Sequence, residues 1–343
     1  MASTPSQHRI TTPGPLLDSR GRLSQRGYAT TPLLAYDRRA IKAPPWRIKE
    51  WDFYQVSDDE WCVQFTIGHA SYAGQVGVTA FRFADGQRWD RVATLALPFG
   101  SLHMPATSSQ GITQRRGGVE IAYDVTPGQR VLRCQTTATR TVPPIKAVIT
   151  LAEPHDQSLV IATPFSQYAT AFYYNQKINC LPATGFAQIG DVRHEFRPDA
   201  AFGLLDWGRG VWPFSTEWFW GNGSTLVDGH PFGFNIGYGF GDTTAASENM
   251  VFYDGTAHKL GAVTFDLAAG GYLAPKAFSS PDGRFEMEFT PVYDRYTETK
   301  LLFVDNHCHQ VFGRFTGHAT LDDGRVIQVK DMMAFTEHAK NNW

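Results

Sequence analysis

A short segment near the middle of the chain combines acidic, basic and indole side chains. Residues 206–213 run Asp-Trp-Gly-Arg-Gly-Val-Trp-Pro, and residues 217–220 run Glu-Trp-Phe-Trp. An acid against indole rings in a water-poor pocket has its pKa raised and can donate a proton near neutral pH, whereas an acid beside an arginine tends to stay ionised. The segment therefore indicates acid catalysis, with Asp206 as the first candidate for the proton donor and Glu217 as the second. Arg209 would orient the acid or a polar end of the substrate.

Four of the nine tryptophans lie within this segment, and their ring faces could stabilise a developing carbocation. Two polar residues further along complete the predicted substrate-binding set, which comprises Trp207, Trp212, Trp218, Trp220, Asp242 and His258. A purely structural interpretation stays open. In that case Asp206 and Arg209 form a salt bridge that closes a loop, and the tryptophans pack between two lobes.

Motifs for cofactors and metals are absent from the sequence. There is no Walker loop, no GxSxG nucleophile elbow, no HExxH and no zinc-type Cys/His spacing. The glycine-rich residues 237–242 lack the strand, loop and helix order that binds phosphate. His307 and His309 would share one face of a strand, but no third ligand is spaced to complete a site. We expect no cofactor and no metal.

The elements that must position these residues show a period of two. Apolar and polar residues alternate over residues 61–67, 119–125, 285–289 and 326–329, and turn signals such as Asp322-Asp-Gly324 separate the runs. Many short strands with frequent turns are typical of sandwiches and barrels. The sequence therefore predicts an all-β protein built from antiparallel sheets.

Chain length and the segments that interrupt regular structure predict the domain organisation. A chain of 343 residues favours about two domains. We expect an extended, partly disordered segment over residues 1–45, a first β lobe over residues 46–190 and a second over residues 191–343. Helix signals are sparse, and the strongest covers residues 331–340.

Bulk composition restricts the partners and the compartment. A net charge of -2 argues against nucleic acid as a partner, and no stretch is apolar enough to span a bilayer. Four widely spaced cysteines and a polar start predict a reduced, cytoplasmic protein. Aromatic residues make up 13% of the chain, which favours a small hydrophobic molecule as ligand. The sequence does not predict an oligomeric state.

Several motifs resemble one family over nearly the whole chain. They are residues 16–22, 49–54, 206–213, 237–242, 248–249, 254–255, 258–260 and 337–338. With these motifs the chain resembles the domain of unknown function 2804 family. More distantly it is similar to two-lobed, lipocalin-like β proteins such as carotenoid hydratases, AttH-type proteins, tocopherol cyclases and fungal Diels–Alder cyclases. The resemblance implies two lipocalin-like antiparallel β-barrel or sandwich lobes and favours an apolar substrate, but it assigns no catalytic residue.

Three functions fit these features. The leading hypothesis is a cofactor-independent hydratase, isomerase or cyclase that acts on a hydrophobic small molecule such as an isoprenoid or polyketide. The second is a lipocalin-like protein that binds an apolar ligand without chemistry. The third is a carbohydrate-active enzyme that uses Asp206 and Glu217 as a carboxylate pair.

Overall fold

The computed structural model describes residues 7–267, 269–301 and 304–342, without the side chains of Leu301 and Val304. Within these ranges the chain is almost entirely β-structure. Its helical content is confined to two single 3-10 turns, Arg38–Ala40 and Pro45–Arg47. The predicted all-β fold class is therefore confirmed.

Twenty-three strands follow one another along the chain. Those of the first part are β1 (Gly14–Pro15), β2 (Gly27–Ala29), β3 (Leu34–Ala35), β4 (Ile48–Ser57), β5 (Trp61–His69), β6 (Ala73–Arg82), β7 (Arg88–Ala96), β8 (Ile112–Arg116), β9 (Val119–Thr126), β10 (Gln129–Thr136), β11 (Ile145–Ala152), β12 (Leu159–Pro164), β13 (Phe172–Ile189), β14 (Val192–Phe196) and β15 (Phe202–Val211). Those of the second part are β16 (Ser215–Val227), β17 (His230–Tyr238), β18 (Met250–Tyr253), β19 (Thr256–Lys259), β20 (Lys276–Ser279), β21 (Phe285–Leu301), β22 (Val304–Thr320) and β23 (Val326–Asn342).

Two large antiparallel sheets form the two lobes. The first has 13 strands with the main order β7-β6-β5-β4-β15-β13-β11-β10-β9-β8, to which β12, β2 and β14 are added along β13 and β12. It nearly closes into a barrel around one apolar core. The second has eight strands in the order β19-β18-β17-β16-β23-β22-β21-β20 and forms a half-barrel around a second core. The four alternating runs predicted from the sequence all lie in strands of these sheets.

The helix predicted over residues 331–340 is wrong, because this segment belongs to strand β23. Methionine, alanine, glutamate and lysine give the segment its helix propensity, but propensity is a weak preference. Strand β23 pairs with β16 on one side and with β22 on the other. Two flanking ladders satisfy its backbone groups, so pairing with neighbouring strands overrides the local preference.

The chain passes from the first sheet to the second between Val211 and Ser215. Strands β14 and β15, which fall within the predicted C-terminal lobe, therefore belong to the first sheet. The domain limits themselves stay a prediction. The consequence for the site is direct, because β15 ends the first lobe and β16 begins the second only four residues later.

Apolar clusters fill the seam between the two lobes. In one of them Phe81 of the first sheet meets Phe312 of the second with ring centroids 5.0 Å apart. In another, Tyr173 meets Phe240 at 4.8 Å and Trp212 lies beside the same ring. The lobes are thus joined by packed aromatic rings as well as by the chain itself.

The N-terminal segment lies across both lobes. Of the segment over residues 1–45, which we expected to be extended and partly disordered, residues 1–6 lie outside the described residues. From Gln7 onward hydrogen bonds hold the segment in place. The Gln7 amide donates to the Leu260 carbonyl at 2.7 Å, and the His8 backbone N–H donates to the Ala245 carbonyl at 2.7 Å. The remainder adds strand β2 to the edge of the first sheet.

In strand β15, the close approach of an aromatic ring requires a glycine at position 208. The Trp51 side chain of strand β4 lies over Gly208, and a Cβ added there would fall 2.1 Å from Cζ2 of the Trp51 ring. We predict that Gly208→Ala lowers the free energy of unfolding by about 2 to 3 kcal/mol, because the ring must move out of a filled site. The measurement is urea denaturation.

Gly14→Ala is the matched control, because a Cβ added at Gly14 meets no atom within 4 Å. It should leave the unfolding midpoint nearly unchanged. Equal midpoints for the two variants would show that Trp51 can leave its place over β15 at no cost, and the packing described here would then be incorrect.

Candidate functional site

Alternation along strand β15 separates the residues of the predicted catalytic segment. Asp206 and Gly208 lie on the face that carries the Trp51 ring, whereas Trp207, Arg209 and Val211 point to the opposite face. Trp207 and Val211 belong to the core of the first lobe. The two faces of strand β15 therefore provide two different environments. Asp206 lies on one face and Arg209 on the other.

Arg209 lies entirely inside the first lobe. Its Nη2 donates to Oδ1 of Asp52 at 2.8 Å, and its Nη1 donates to the Trp51 carbonyl at 2.7 Å. The guanidinium carbon lies 4.2 Å from the centroid of the Trp207 ring. Arg209 is fully buried, and its guanidinium donates hydrogen bonds to groups of the first lobe. It is therefore placed to hold the barrel together rather than to contact Asp206.

Asp206 accepts three hydrogen bonds at the seam between the lobes. Its Oδ1 accepts from Nδ2 of Asn175 at 2.5 Å and from Nζ of Lys177 at 3.1 Å, and its Oδ2 accepts from Nε1 of Trp51 at 3.2 Å. The Lys177 bond is an ion pair between buried groups. Since every partner is a donor and one is a cation, Asp206 acts as an acceptor in this network.

Lys177 connects Asp206 to the second lobe. Strand β13 carries this lysine opposite Asp206 in the β13–β15 ladder, and its ammonium lies 4.2 Å from the centroid of the Trp220 ring. Trp220 of strand β16 donates its indole N–H to Oδ1 of Asn235 at 2.7 Å. The hydrogen bonds that the lysine and the indole donate thus fix a cation–π contact across the seam.

Two further carboxyl groups lie close enough to this ion pair for their charges to interact with it. Glu248 precedes strand β18 and is buried, and burial raises its pKa against the opposing charges of Lys177 and Lys259. Glu337 of strand β23 also has its pKa raised by burial, although Nε1 of Trp218 donates to its Oε1 at 2.8 Å. A carboxyl group with a raised pKa keeps its proton to a higher pH and can act as an acid.

Tyr173 lies among all three carboxyl groups. Its ring is stacked on Trp51 with centroids 5.9 Å apart, and burial raises its pKa well above the ordinary value. The charges of Asp206, Glu248 and Glu337 act in the same direction. We call Asp206, Glu248, Glu337, Lys177 and Tyr173 the acid cluster.

Glu217 lies in a different hydrogen-bond network. Its side chain is 50% exposed, and its Oε1 accepts from Nε2 of His338 at 2.7 Å and lies 3.3 Å from Nζ of Lys340. The hydrogen bond from His338 lowers the pKa of Glu217. The structure therefore does not bring Glu217 together with Asp206, and its carboxyl group is set up to stay ionised.

The predicted substrate-binding residues are distributed over several places. Trp218 and Trp220 border the acid cluster through their contacts with Glu337 and Lys177. Trp207 lies in the interior of the first lobe. Trp212 lines a cavity of about 490 Å³ on the first lobe, and its ring meets Trp51 edge to face at 5.1 Å.

Asp242 and His258 lie apart from the acid cluster. The Asp242 carboxylate accepts from the hydroxyl of Thr244 at 2.7 Å, a bond that lowers the pKa of Asp242 and stabilises the loop after β17. His258 is buried in edge strand β19, where its Nδ1 accepts from the Asp322 backbone N–H at 3.2 Å. Both contacts are those of residues that hold loops in place.

Sequence analysis missed the partners that give Asp206 its environment. Lys177 and Asn175 are two positions apart within the mostly apolar start of strand β13, so they share a face. That pattern was available as a signal, because a lysine within an apolar strand needs an anionic partner. Glu337 was missed because its segment was predicted to be a helix, in which the face of a side chain is different.

One known family matches nearly the whole chain, including the residues of the site. Residues 7–343 match the model of the family described as Domain of unknown function (DUF2804). The chain belongs to this family. The residues that form the acid cluster and the cavity all lie inside the matched region. No curated protein matches the chain in sequence.

Solved structures with the same fold support the two-lobe architecture. An AttH-type protein from Nitrosomonas europaea has a TM-score of 0.54 at 12% identity, covering 90% of this chain and 98% of that chain. CghA bound to Sch210972 has a TM-score of 0.52 at 12% identity, covering 100% and 96%. Kievitone hydratase from Nectria haematococca has a TM-score of 0.47 at 8% identity, covering 86% and 88%. At these identities the likeness to the AttH-type protein and to CghA establishes the fold alone.

The described residues contain neither a membrane-spanning helix nor a metal-binding cluster of side chains. None of the helices there has the length and apolar character needed to span a membrane. Within the same ranges, no group of three or more His, Cys, Asp and Glu side chains is arranged to hold a metal ion.

The raised pKa values of Glu248 and Glu337 predict a pH-dependent stability. Between about pH 4.5 and their folded-state pKa values, the folded protein binds protons that the unfolded chain has released, so stability falls as pH rises through this window. We expect Glu248→Gln and Glu337→Gln each to remove up to about 1.4 kcal/mol per pH unit from this slope. Thermal unfolding followed from pH 4.5 to pH 8 measures it.

Glu288→Gln serves as the control, because Glu288 is exposed on strand β21. It should shift no part of the profile. If both buried-site variants kept the wild-type slope, Glu248 and Glu337 would titrate as they do in the unfolded chain, and the acid cluster would lose its proton donors.

Proposed function

We propose that this chain is an enzyme that converts a hydrophobic small molecule by acid catalysis without a cofactor. The reaction would be a hydration, an isomerisation or a cyclisation of an isoprenoid- or polyketide-like compound. One observation carries the proposal: the buried Glu248 and the half-buried Glu337, whose pKa values are both raised by desolvation, adjoin a fixed Lys177–Asp206 ion pair, between indole rings. Such a site pairs proton donors with an acceptor in a water-poor setting.

We assign the proton donor to Glu337 rather than to Asp206, our first candidate from the sequence. Three donors point at Asp206, whereas burial raises the pKa of Glu337, which accepts a hydrogen bond from the Trp218 indole and is hydrogen-bonded to the Cys308 thiol. That bond also fixes which oxygen of Glu337 is engaged by Trp218. The second oxygen is then the one that carries the proton to a substrate.

The chemical step moves one proton and two electrons. The O–H bond of Glu337 breaks, a C–H bond forms at one carbon of a C=C bond, and a carbocation develops at the other carbon. The ring faces of Trp218 and Trp220 stabilise this cation. Attack by water gives hydration, loss of a neighbouring proton gives isomerisation, and attack by a second C=C bond gives cyclisation. Asp206 accepts the proton that water or the cation releases, and the Lys177 charge then acts on the carboxylate that Glu337 has become.

A second candidate, a binding protein without chemistry, is favoured by a different observation. The cavity of about 490 Å³ beside Trp212 is large enough for a small molecule and has aromatic walls. A carbohydrate-active enzyme has less support, because Asp206 and Glu217 lie in separate networks. Ligand that is recovered unchanged after long incubation with the protein would favour the binding protein.

The test begins with the molecule that the protein retains. Native mass spectrometry of the purified chain, followed by lipid extraction, identifies an apolar ligand, which then serves as substrate. We predict that Glu337→Gln lowers its turnover by about 10²- to 10⁴-fold, because a carboxamide cannot donate the proton. At pH 4.5 and below the melting temperature should hardly change, since glutamine copies the shape and hydrogen bonding of a protonated glutamate. At higher pH the variant should melt at the higher temperature, because it lacks the pH-dependent loss of stability that Glu337 causes.

Glu288→Gln again provides the control and should retain full turnover. Asp206→Asn is a less clean variant, because it leaves the Lys177 ammonium buried without its anion and so mixes stability with activity. Full turnover by Glu337→Gln on the extracted ligand would exclude Glu337 as the donor. If neither the wild type nor any variant formed product, the result would favour the binding protein.

A further inference from the structure

The cavity on the first lobe has a hydrophobic rim that is exposed and a floor that is buried. Trp46, Leu97, Phe99 and Phe214 form the rim, and each is at least half exposed. Trp212 lies at the floor and is 2% exposed. A concave site of this size with large apolar side chains around its mouth is typical of a small-molecule site rather than of ordinary surface.

The backbone of the rim is held in a costly conformation. Leu97 has φ 50° and Phe99 has φ 43°, which is the left-handed region that non-glycine residues rarely adopt. Two backbone hydrogen bonds pin them there, from Leu97 N–H to the Tyr72 carbonyl at 2.8 Å and from Phe99 N–H to the Ser71 carbonyl at 2.9 Å. Backbone strain of this kind, at residues that present apolar side chains to solvent, is typical of functional positions.

The charged residues of this cavity all carry the same sign. Lys49 of strand β4 is 2% exposed, and its ammonium lies 5.2 Å from the Tyr72 ring centroid and 5.4 Å from that of Trp212. Arg47 lies at the edge, where it donates to the Trp212 carbonyl at 3.2 Å. Among the described lining residues there is no acidic side chain. The lining is therefore complementary to an apolar molecule with one anionic end.

We propose that this cavity binds an amphipathic carboxylate, with its apolar body against Trp46, Leu97, Phe99 and Phe214 and its carboxylate at Lys49. The binding site belongs to the first lobe alone and does not depend on the acid cluster being catalytic. A carboxylate that reaches the floor can accept a charge-assisted hydrogen bond from the ammonium while its chain covers the exposed rim.

The proton state of Lys49 makes the preference dependent on pH. Burial lowers the pKa of Lys49 to about 7, and the charge of Arg47 acts in the same direction. Tyr72 faces the same ammonium, but burial raises its pKa to about 12, so it stays neutral. Arg47 is the other charged residue that lines the cavity. The cationic form of Lys49 is therefore lost as pH rises through about 7, and the electrostatic part of carboxylate binding weakens with it.

The experiment compares three ligands with one chain length and different head groups. Dodecanoate, dodecanol and dodecylammonium are titrated into the full chain by isothermal titration calorimetry at pH 6 and pH 8.5, below their critical micelle concentrations. We expect dodecanoate to bind about tenfold more tightly than dodecanol at pH 6 and dodecylammonium to bind most weakly, as one charge-assisted hydrogen bond is worth roughly 1.5 kcal/mol or more. The preference should shrink at pH 8.5.

Two variants locate the effect. Lys49→Met should keep dodecanol binding and lose the preference for dodecanoate, since methionine retains the apolar volume and removes the charge. Phe99→Ser should weaken all three ligands and keep their order. Both variants are checked by circular dichroism, and Lys49→Arg, which keeps the charge at both pH values, should retain the preference at pH 8.5.

Three results would overturn the proposal. Equal affinity of the wild type for dodecanoate and dodecanol at pH 6 would show that Lys49 does not select a carboxylate. A Lys49→Met variant with an undiminished preference would place the anion elsewhere. Binding of none of the three ligands would show that the cavity does not accept an amphipathic chain. Turnover by the acid cluster affects none of these outcomes, because only binding is measured.

Discussion

A buried lysine ammonium and three carboxyl groups, two of them buried and that of Glu337 half-buried, lie together at the seam between two β-sheets. Taking any one of these charges out of water costs several kcal/mol unless a partner compensates for it. Lys177 and Asp206 compensate for each other at 3.1 Å, and Asn175 and Trp51 complete the hydrogen bonding of the carboxylate. Glu248 and Glu337 have no comparable ion pair, so burial raises their pKa values. The Lys177–Asp206 ion pair thus leaves Glu248 and Glu337 as the groups that can donate protons.

The strand architecture is what brings these groups together. Strands β13 and β15 are neighbours in the first sheet, and strands β16 and β23 are neighbours in the second. Because β16 follows β15 after a very short connection, the tryptophans of β16 necessarily face the edge of the first lobe. The absence of a side chain at Gly208 then lets the Trp51 ring lie flat on β15 and donate to Asp206. A two-lobe fold with this connection creates the seam, and four strands supply its chemistry.

Sequence patterns predicted the fold class well, because period-two alternation reports one buried face of a strand directly. They failed at residues 331–340, where pairing on both sides of β23 outweighed helix propensity. The segment around Asp206 was found by composition, yet the assignment of roles within it required knowing the strand register. Alternation places Arg209 and Trp207 inside the barrel and Asp206 outside it, and only the β13 ladder reveals that Lys177 lies opposite. The local sequence can indicate that Lys177 needs an anionic partner, but it does not show which carboxylate supplies it.

The central claim is that carboxyl groups at the seam keep their protons to a higher pH than ordinary glutamates do, because burial raises their pKa values. Infrared difference spectroscopy measures this directly, since a protonated carboxyl group has a C=O stretching band that a carboxylate lacks. In a pH series upward from pH 4.5, spectra of the wild type minus Glu337→Gln and of the wild type minus Glu248→Gln should each keep this band to a higher pH than the wild type minus Glu288→Gln. Loss of the band at the same pH in all three difference spectra would contradict the account, because the seam carboxyl groups would then hold their protons no longer than an exposed glutamate.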